Sequence, residues 1–442
     1  MLVLLCIWGG HPHSAADAQT ISEFIHSKTA TEWFDEENWT AGIPNAAGDV
    51  ATFPGSLTAP IAIRVGEPLA LGQLVFLNNG PVTLTGADGL MFENPGAGTA
   101  SLRSLQPASG SFTSVLAVPL TIADGGQLAV EAQLRASVQL SGGLRSTDGS
   151  LTKTGVGGLT LAGNNADWNG AFTIDGGTVT AQSATSFGSA SRGTAIVNGR
   201  LLLMHDNAEP FALSGGVIQA PSAGVRLDGA LTLAMDNTAL LEGTFRLYGG
   251  TTGEGDLLLR GSGNGLFRVE ENGLNHGGGV VIENAPGSLQ SYRIYVNSAY
   301  RGQTTITGAQ VVLDTPLGLG TAEAGTTVTN GRLRVHGSAS EDIVLTNSVL
   351  ELWSNETVVS ELRNTGDLEL DSSTLTTYGS FRGASVYRIA QPLTIAGGGN
   401  LISTERGSIV GRILGRVEWE NSRKGRHATR HFISAVWFGD DY

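Results

Sequence analysis

The chain has 442 residues, 63 of them glycine, with 40% apolar and only 15% charged residues. Glycine stands near twice its usual ~7% and charge well below the usual ~25%, which excludes a coiled coil or helical bundle; no Gly-X-Y period marks collagen. Acidic residues number 40 and basic residues 26, so the net charge of −14 weighs against nucleic-acid binding, while the apolar fraction suffices for a core.

In chain order, residues 1–18 (MLVLLCIWGGHPHSAADA) read as an export signal, with cleavage expected after Ala16-Asp17-Ala18 and before Gln19. A charged leading region is missing, so a disordered terminus or a buried strand is the alternative. Met1 to Trp8 is too short to span a bilayer, and no other stretch is apolar and long enough for a membrane helix. Cys6 is the only cysteine, and Leu5 before it argues against lipid attachment. Loss of the signal would leave no disulfide, no thiol nucleophile and no cysteine metal site. Residues 19–59 are expected to cap the fold: the aromatics of Glu32-Trp33-Phe34 and Trp39, with Phe53, suit the cover of a first coil, and sugar stacking on Trp33 and Trp39 is the competing reading.

From 60 to 400 short alternating runs of Val, Ile, Leu and Thr are separated by Gly, Asn, Asp and Ser, as in Gly158-Leu159-Thr160-Leu161-Ala162-Gly163. Period-two alternation gives strands with one buried face, and the glycines supply positive-φ corners. Residues 168–203 align without gaps on 300–335, a shift of 132 that repeats Gly170, Thr173, Ile174, Gly188 and Asn198-Gly199-Arg200-Leu201 as Gly302, Thr305, Ile306, Gly320 and Asn330-Gly331-Arg332-Leu333. The preceding segment aligns less well at a shift of 107, with Gly142-Gly143, Leu151 and Gly158-Leu159 falling on Gly249-Gly250, Leu258 and Gly265-Leu266. Two shifts that differ by about one coil length fit a solenoid, because an inserted coil leaves stacking intact. The expectation is an all-β, single-stranded, right-handed parallel β-helix over 60–400 with an N-terminal cap. Its best repeat copy lies at 140–203 and its second at 247–335. About fifteen coils of roughly 20–25 residues, spaced about 4.8 Å, would make a rod of roughly 70 Å.

Leu151-Thr152-Lys153-Thr154-Gly155-Val156-Gly157-Gly158-Leu159-Thr160-Leu161-Ala162-Gly163, followed by Gly170, Ile174 and Gly176-Gly177-Thr178-Val179, resembles the autotransporter-associated β-strand repeat. The opening Trp33–Phe53 is similar to the first segment of large exported bacterial proteins that carry it. The resemblance implies a secreted or cell-surface β-helical passenger, associated with an outer membrane, structural or adhesive, without catalytic residues. A self-exporting autotransporter ends in a barrel of about eight or more strands. Only 401–442 follow here, so a fragment or another export route is expected.

That last segment, 401–442, is a basic tail with Arg406, Arg412, Arg416, Arg423, Lys424, Arg426 and Arg430, and with His427 and His431 beside them. It reads as a solvated terminus, as a peripheral contact to an acidic surface or, given the abrupt change of composition, as an aberrant end. The acidic clusters Asp35-Glu36-Glu37, Glu270-Glu271 and Glu341-Asp342 read as solvated turns, with His276 near the second as the one mild hint of acid–base chemistry. Gly253-Glu254-Gly255-Asp256 reads as a β-turn rather than a calcium repeat. His11, His13, His26, His205, His276 and His336 form no ligand spacing. No catalytic, cofactor-binding or metal residue is therefore assigned and no cofactor is expected. The sequence points to a non-enzymatic rod that binds glycans or other surface and matrix polymers multivalently, with no nucleic-acid partner. A polysaccharide lyase or hydrolase with an unfamiliar acidic site is the alternative.

Overall fold

A computed structural model describes residues 19–25 and 31–353, apart from corner positions 97, 106, 108–109, 222–223, 316, 322–323 and 337–342; side chains are described through Glu351, and from 362 to 437 strand backbone alone. The expected signal (1–18) and the basic side chains of the tail lie outside the described residues.

The strands stack in parallel as about 13 turns of one solenoid. That is fewer than the fifteen expected, because some rungs carry long corners: Thr83 and Val115 are partners on adjacent rungs. Three faces run along the axis. The first is an eleven-stranded ladder from Ile21–Glu23 to Thr251–Gly253, so it begins inside the segment expected to be the cap. The second runs from Ile61–Arg64 to Arg412–Leu414. The third is four-stranded from Leu69–Leu71 to Leu144–Arg145, then resumes as nine strands from Val225–Leu227 to Asn400–Ser403. Antiparallel pairing occurs only near the C-terminal end, in Val417–Asn421 with Arg426–Arg430 and Arg412–Leu414 with Val436–Trp437, among the described strands.

Alternation sets which side chains go in. In Ala136–Leu140 every second residue is buried. In-register pairing then stacks like on like: Leu102, Val130, Lys153, Ile174 and Ile196 occupy one inward column of the first face. Each buried Leu or Ile contributes roughly 1.5–3 kcal/mol, so stability accrues rung by rung. Corners are tied by short polar side chains. Asn165, fully buried, accepts from Leu144 N (2.8 Å) and donates to Ser186 O (2.6 Å), bonding the rungs below and above its own.

The two repeat copies do not sit on the same faces. Ala171–Asp175 and Thr178–Ala181 lie on the first and second faces, whereas their counterparts Thr304–Thr307 and Gln310–Leu313 lie on the second and third. The repeat thus specifies two strands and an irregular corner, and the second copy is turned by one face about the axis. The smaller shift turns the same way, from Ser150–Thr154 on the first face to Asp256–Gly261 on the second. The inserted coil is the rung of Val280–Asn284 and Ser291–Ile294, which the first copy lacks between its corresponding rungs. Recurring glycines mark close approach in both copies. Gly188 has φ +79° and a Cβ there would overlap Trp168 O; Gly320 has φ +92° and a Cβ would lie 2.7 Å from Tyr300 O. Trp168 and Tyr300 are themselves equivalent under the 132 shift, and both are buried.

The N-terminal end is closed by Phe24, Trp33, Trp39 and Phe53. Trp33 and Trp39 approach to 4.7 Å between ring centroids, and Phe53 stacks on Phe76 at 5.2 Å. Trp33 Nε1 donates to Pro44 O and Trp39 Nε1 to Trp33 O. With 0% and 4% exposure, the two indoles lie in the buried core and offer no face to a sugar, which corrects the stacking reading of Trp33 and Trp39.

Candidate functional site

The three outer faces differ in chemistry. The first presents small side chains, with Ala129, Thr152, Thr173, Ala195 and Ala212 in one outward column. The second carries threonines such as Thr305 and Thr327, whose hydroxyls stand 3.5 Å apart. The third concentrates charge. Arg226, Arg246, Arg268 and Arg293 are register partners on four consecutive rungs. Like charges about 4.8 Å apart would repel, and the neighbouring acids offset this. Arg226 Nε lies 2.6 Å from Asp228, and Arg293 meets Asp314 with two bonds of 2.6 and 3.2 Å. Arg246 reaches Asp206 only at 3.5 Å, and Arg268 reaches Glu270 only at 3.9 Å. All four guanidinium side chains are about two-fifths exposed, from 38 to 41%. Tyr248 and Tyr295 stand two positions after Arg246 and Arg293 in the chain; the Arg226 guanidinium lies 3.9 Å over the Tyr248 ring and that of Arg293 4.8 Å over Tyr295. The Glu270 carboxylate near the Tyr248 hydroxyl holds the tyrosine's pKa above the ordinary value.

The sequence-selected acids separate. Asp35-Glu36-Glu37 forms the start of a short 3-10 turn, where the Asp35 carboxylate accepts from Glu37 N. Glu270 joins the third face, and the field of Glu271 reaches Arg226. His276 goes elsewhere: it is 2% exposed, stacked on Tyr300 at 5.5 Å, with Nδ1 2.8 Å from Thr251 Oγ1. Burial lowers its pKa, and the acids that feel it are Asp256 and Glu254 rather than Glu270-Glu271. Asp256 also accepts from Gly279 N at 2.7 Å, so Gly253-Glu254-Gly255-Asp256 is a corner between two strands, bonded to the next corner. His205 is exposed and His336 lies 3.6 Å from Asp314. His11, His13, His26 and Glu341-Asp342 lie outside the described residues. Among the described residues no three His, Cys, Asp or Glu converge as metal ligands.

Two buried ionisable groups with strongly shifted pKa escaped the reading of the sequence. Lys153 is fully buried; its stem fills the column between Val130 and Ile174, and Nζ donates to Thr154 O (2.6 Å) and Gly155 O (3.0 Å). Burial lowers its pKa to about 8. Its inward parity with Leu151 was a signal in the sequence. Glu209 is 5% exposed; one carboxyl oxygen accepts from Thr194 Oγ1 at 2.9 Å and Oε2 has no partner among the described residues. Burial pushes its pKa up to about 7.

Comparison with protein-family models, curated proteins and solved structures returns no match. Among the described residues no helix is long and apolar enough to cross a membrane.

Proposed function

We propose that the chain is a non-enzymatic, exported surface rod built from autotransporter-associated β-strand repeats, which holds partners along its length. The observation that carries this reading is the pair of repeat copies on one continuous axis: the motif recurs as architecture, turned by one face, with most of its identities at corners and inward positions. The rod displays outward columns that repeat at every rung, a geometry suited to many weak contacts with glycans or matrix polymers. The basic tail adds a contact to an acidic surface. Cell fractionation with surface protease shaving tests this reading. Digestion of the chain on intact cells is the expected result; protection until lysis contradicts it.

The second reading, a polysaccharide-cleaving enzyme, draws on the acids beside arginines and tyrosines on the third face. The place of Glu209 weighs against it: the described carboxyl whose pKa is raised towards neutrality lies inside the coil, away from any polymer. Turnover of a polysaccharide lost on replacing one third-face acid would favour the enzyme.

A further inference from the structure

The third face between Arg226 and Arg293 has features that a purely structural ion ladder does not need. Acids stand beside the arginines in nearly equal number, so the strip presents little net charge and has no preference for a polyanion or a polycation. A guanidinium carries five N–H donors. Arg226 commits Nε to Asp228, while the contacts of Arg246 and Arg268 at 3.5 and 3.9 Å are too long to occupy their donors fully. A column of partly exposed planar donors therefore runs along the axis with carboxylate acceptors beside it, and Tyr248 and Tyr295 stand two rungs apart. A sugar hydroxyl donates and accepts at once, and an arginine–carboxylate pair offers one partner of each kind. Repetition at every rung, about 4.8 Å, suits a ligand that is itself linear and regular.

We propose that the third face from Arg226 to Arg293 is a binding track for a neutral, linear polysaccharide lying along the solenoid axis. This deepens the surface-rod reading and takes its ligand class from it. Each rung contributes weakly, and affinity comes from the number of rungs engaged. Tyrosine edges give the chain apolar contact, and the paired arginines and acids read its hydroxyls.

Affinity electrophoresis of the full chain through gels holding neutral glucan, mannan or galactan tests the track, with polygalacturonate and dextran sulfate as charged controls. The expected result is retardation by at least one neutral polymer, weakened at least tenfold in the Arg246→Ala/Arg268→Ala variant and in Tyr248→Ala/Tyr295→Ala. Arg103→Ala, on the first face, keeps wild-type retardation, and all variants match the wild-type melting temperature within a few degrees. No retardation by any neutral polymer, retardation of both double variants equal to wild type, or stronger retardation by the charged polymers would overturn the track. The two readings fail separately. A shaved, surface-exposed chain that no neutral polymer retards loses the track and keeps the rod; an unshaved chain that is retarded loses the exported rod and keeps the track.

Discussion

Glu209 couples one rung of the solenoid to pH. Its carboxyl is held by a single threonine hydroxyl and one oxygen is left bare, so the protonated form is the one the interior accepts. The folded pKa, about 7, stands above the ordinary 4.5. The folded state therefore keeps a proton that the unfolded chain releases. Its contribution to stability is complete below about pH 4.5, falls as pH rises to 7, and stays at its minimum above that, a span on the order of 2–3 kcal/mol. Glu209→Gln should remove this slope and raise the melting temperature at pH 8 relative to wild type, with little change at pH 4. Thermal melts over pH 4–8 check it, and a wild-type slope in the variant would count against the account. Lys153 asks for a different comparison. Lys153→Met keeps the stem between Val130 and Ile174 and discards a buried charge, so a change within about 1 kcal/mol is expected. Lys153→Ala leaves a cavity and should cost about 2–5 kcal/mol by denaturant titration. Equal losses would mean that the ammonium, not the stem, holds the turn at Thr154 and Gly155.

At the scale of elements, each rung contacts only its neighbours. Removing residues 280–303 joins Gly279 to Thr304 and deletes the rung that the first repeat copy lacks. Leu257 and Leu259 would then pack under Thr304 and Ile306. The shortened chain should remain folded, with one cooperative transition and a melting temperature within several degrees of wild type. Aggregation or loss of strand signal by circular dichroism would show that stacking is not interchangeable. Strands and corners were legible because alternation and glycine report directly on burial and positive φ: Gly158–Leu161 and Thr178–Ala181 fall where the pattern puts them. The face on which a strand lies was not legible. Inward and outward positions alternate identically on every face, so Thr173 and Thr305, matched in sequence, give no sign that one belongs to the first face and the other to the second. The arginine column escaped for a related reason. Corners differ in length, so Arg226, Arg246, Arg268 and Arg293 recur at unequal intervals and come together only after stacking.

For the molecule as a whole, everything depends on parallel, in-register stacking about one axis. The aromatic cover at Trp33 and Trp39 closes one end, the repeat turns by one face partway along, and the third-face track exists only if successive rungs lie directly above one another. Cys6 is the sole cysteine, which makes crosslinking a clean probe of that register. In a Cys6→Ser background, cysteines replace facing hydroxyls on adjacent rungs: Thr113 with Ser137 (3.0 Å), Thr232 with Thr252 (3.3 Å) and Thr305 with Thr327 (3.5 Å). Adjacent rungs bring Cα atoms within disulfide reach, and a two-rung separation does not. Mild oxidation should join all three pairs within one chain and leave Val281→Cys with Thr327→Cys, two rungs apart, unjoined. Failure of the three adjacent pairs, with ready joining of the distant one, would contradict the stacked solenoid.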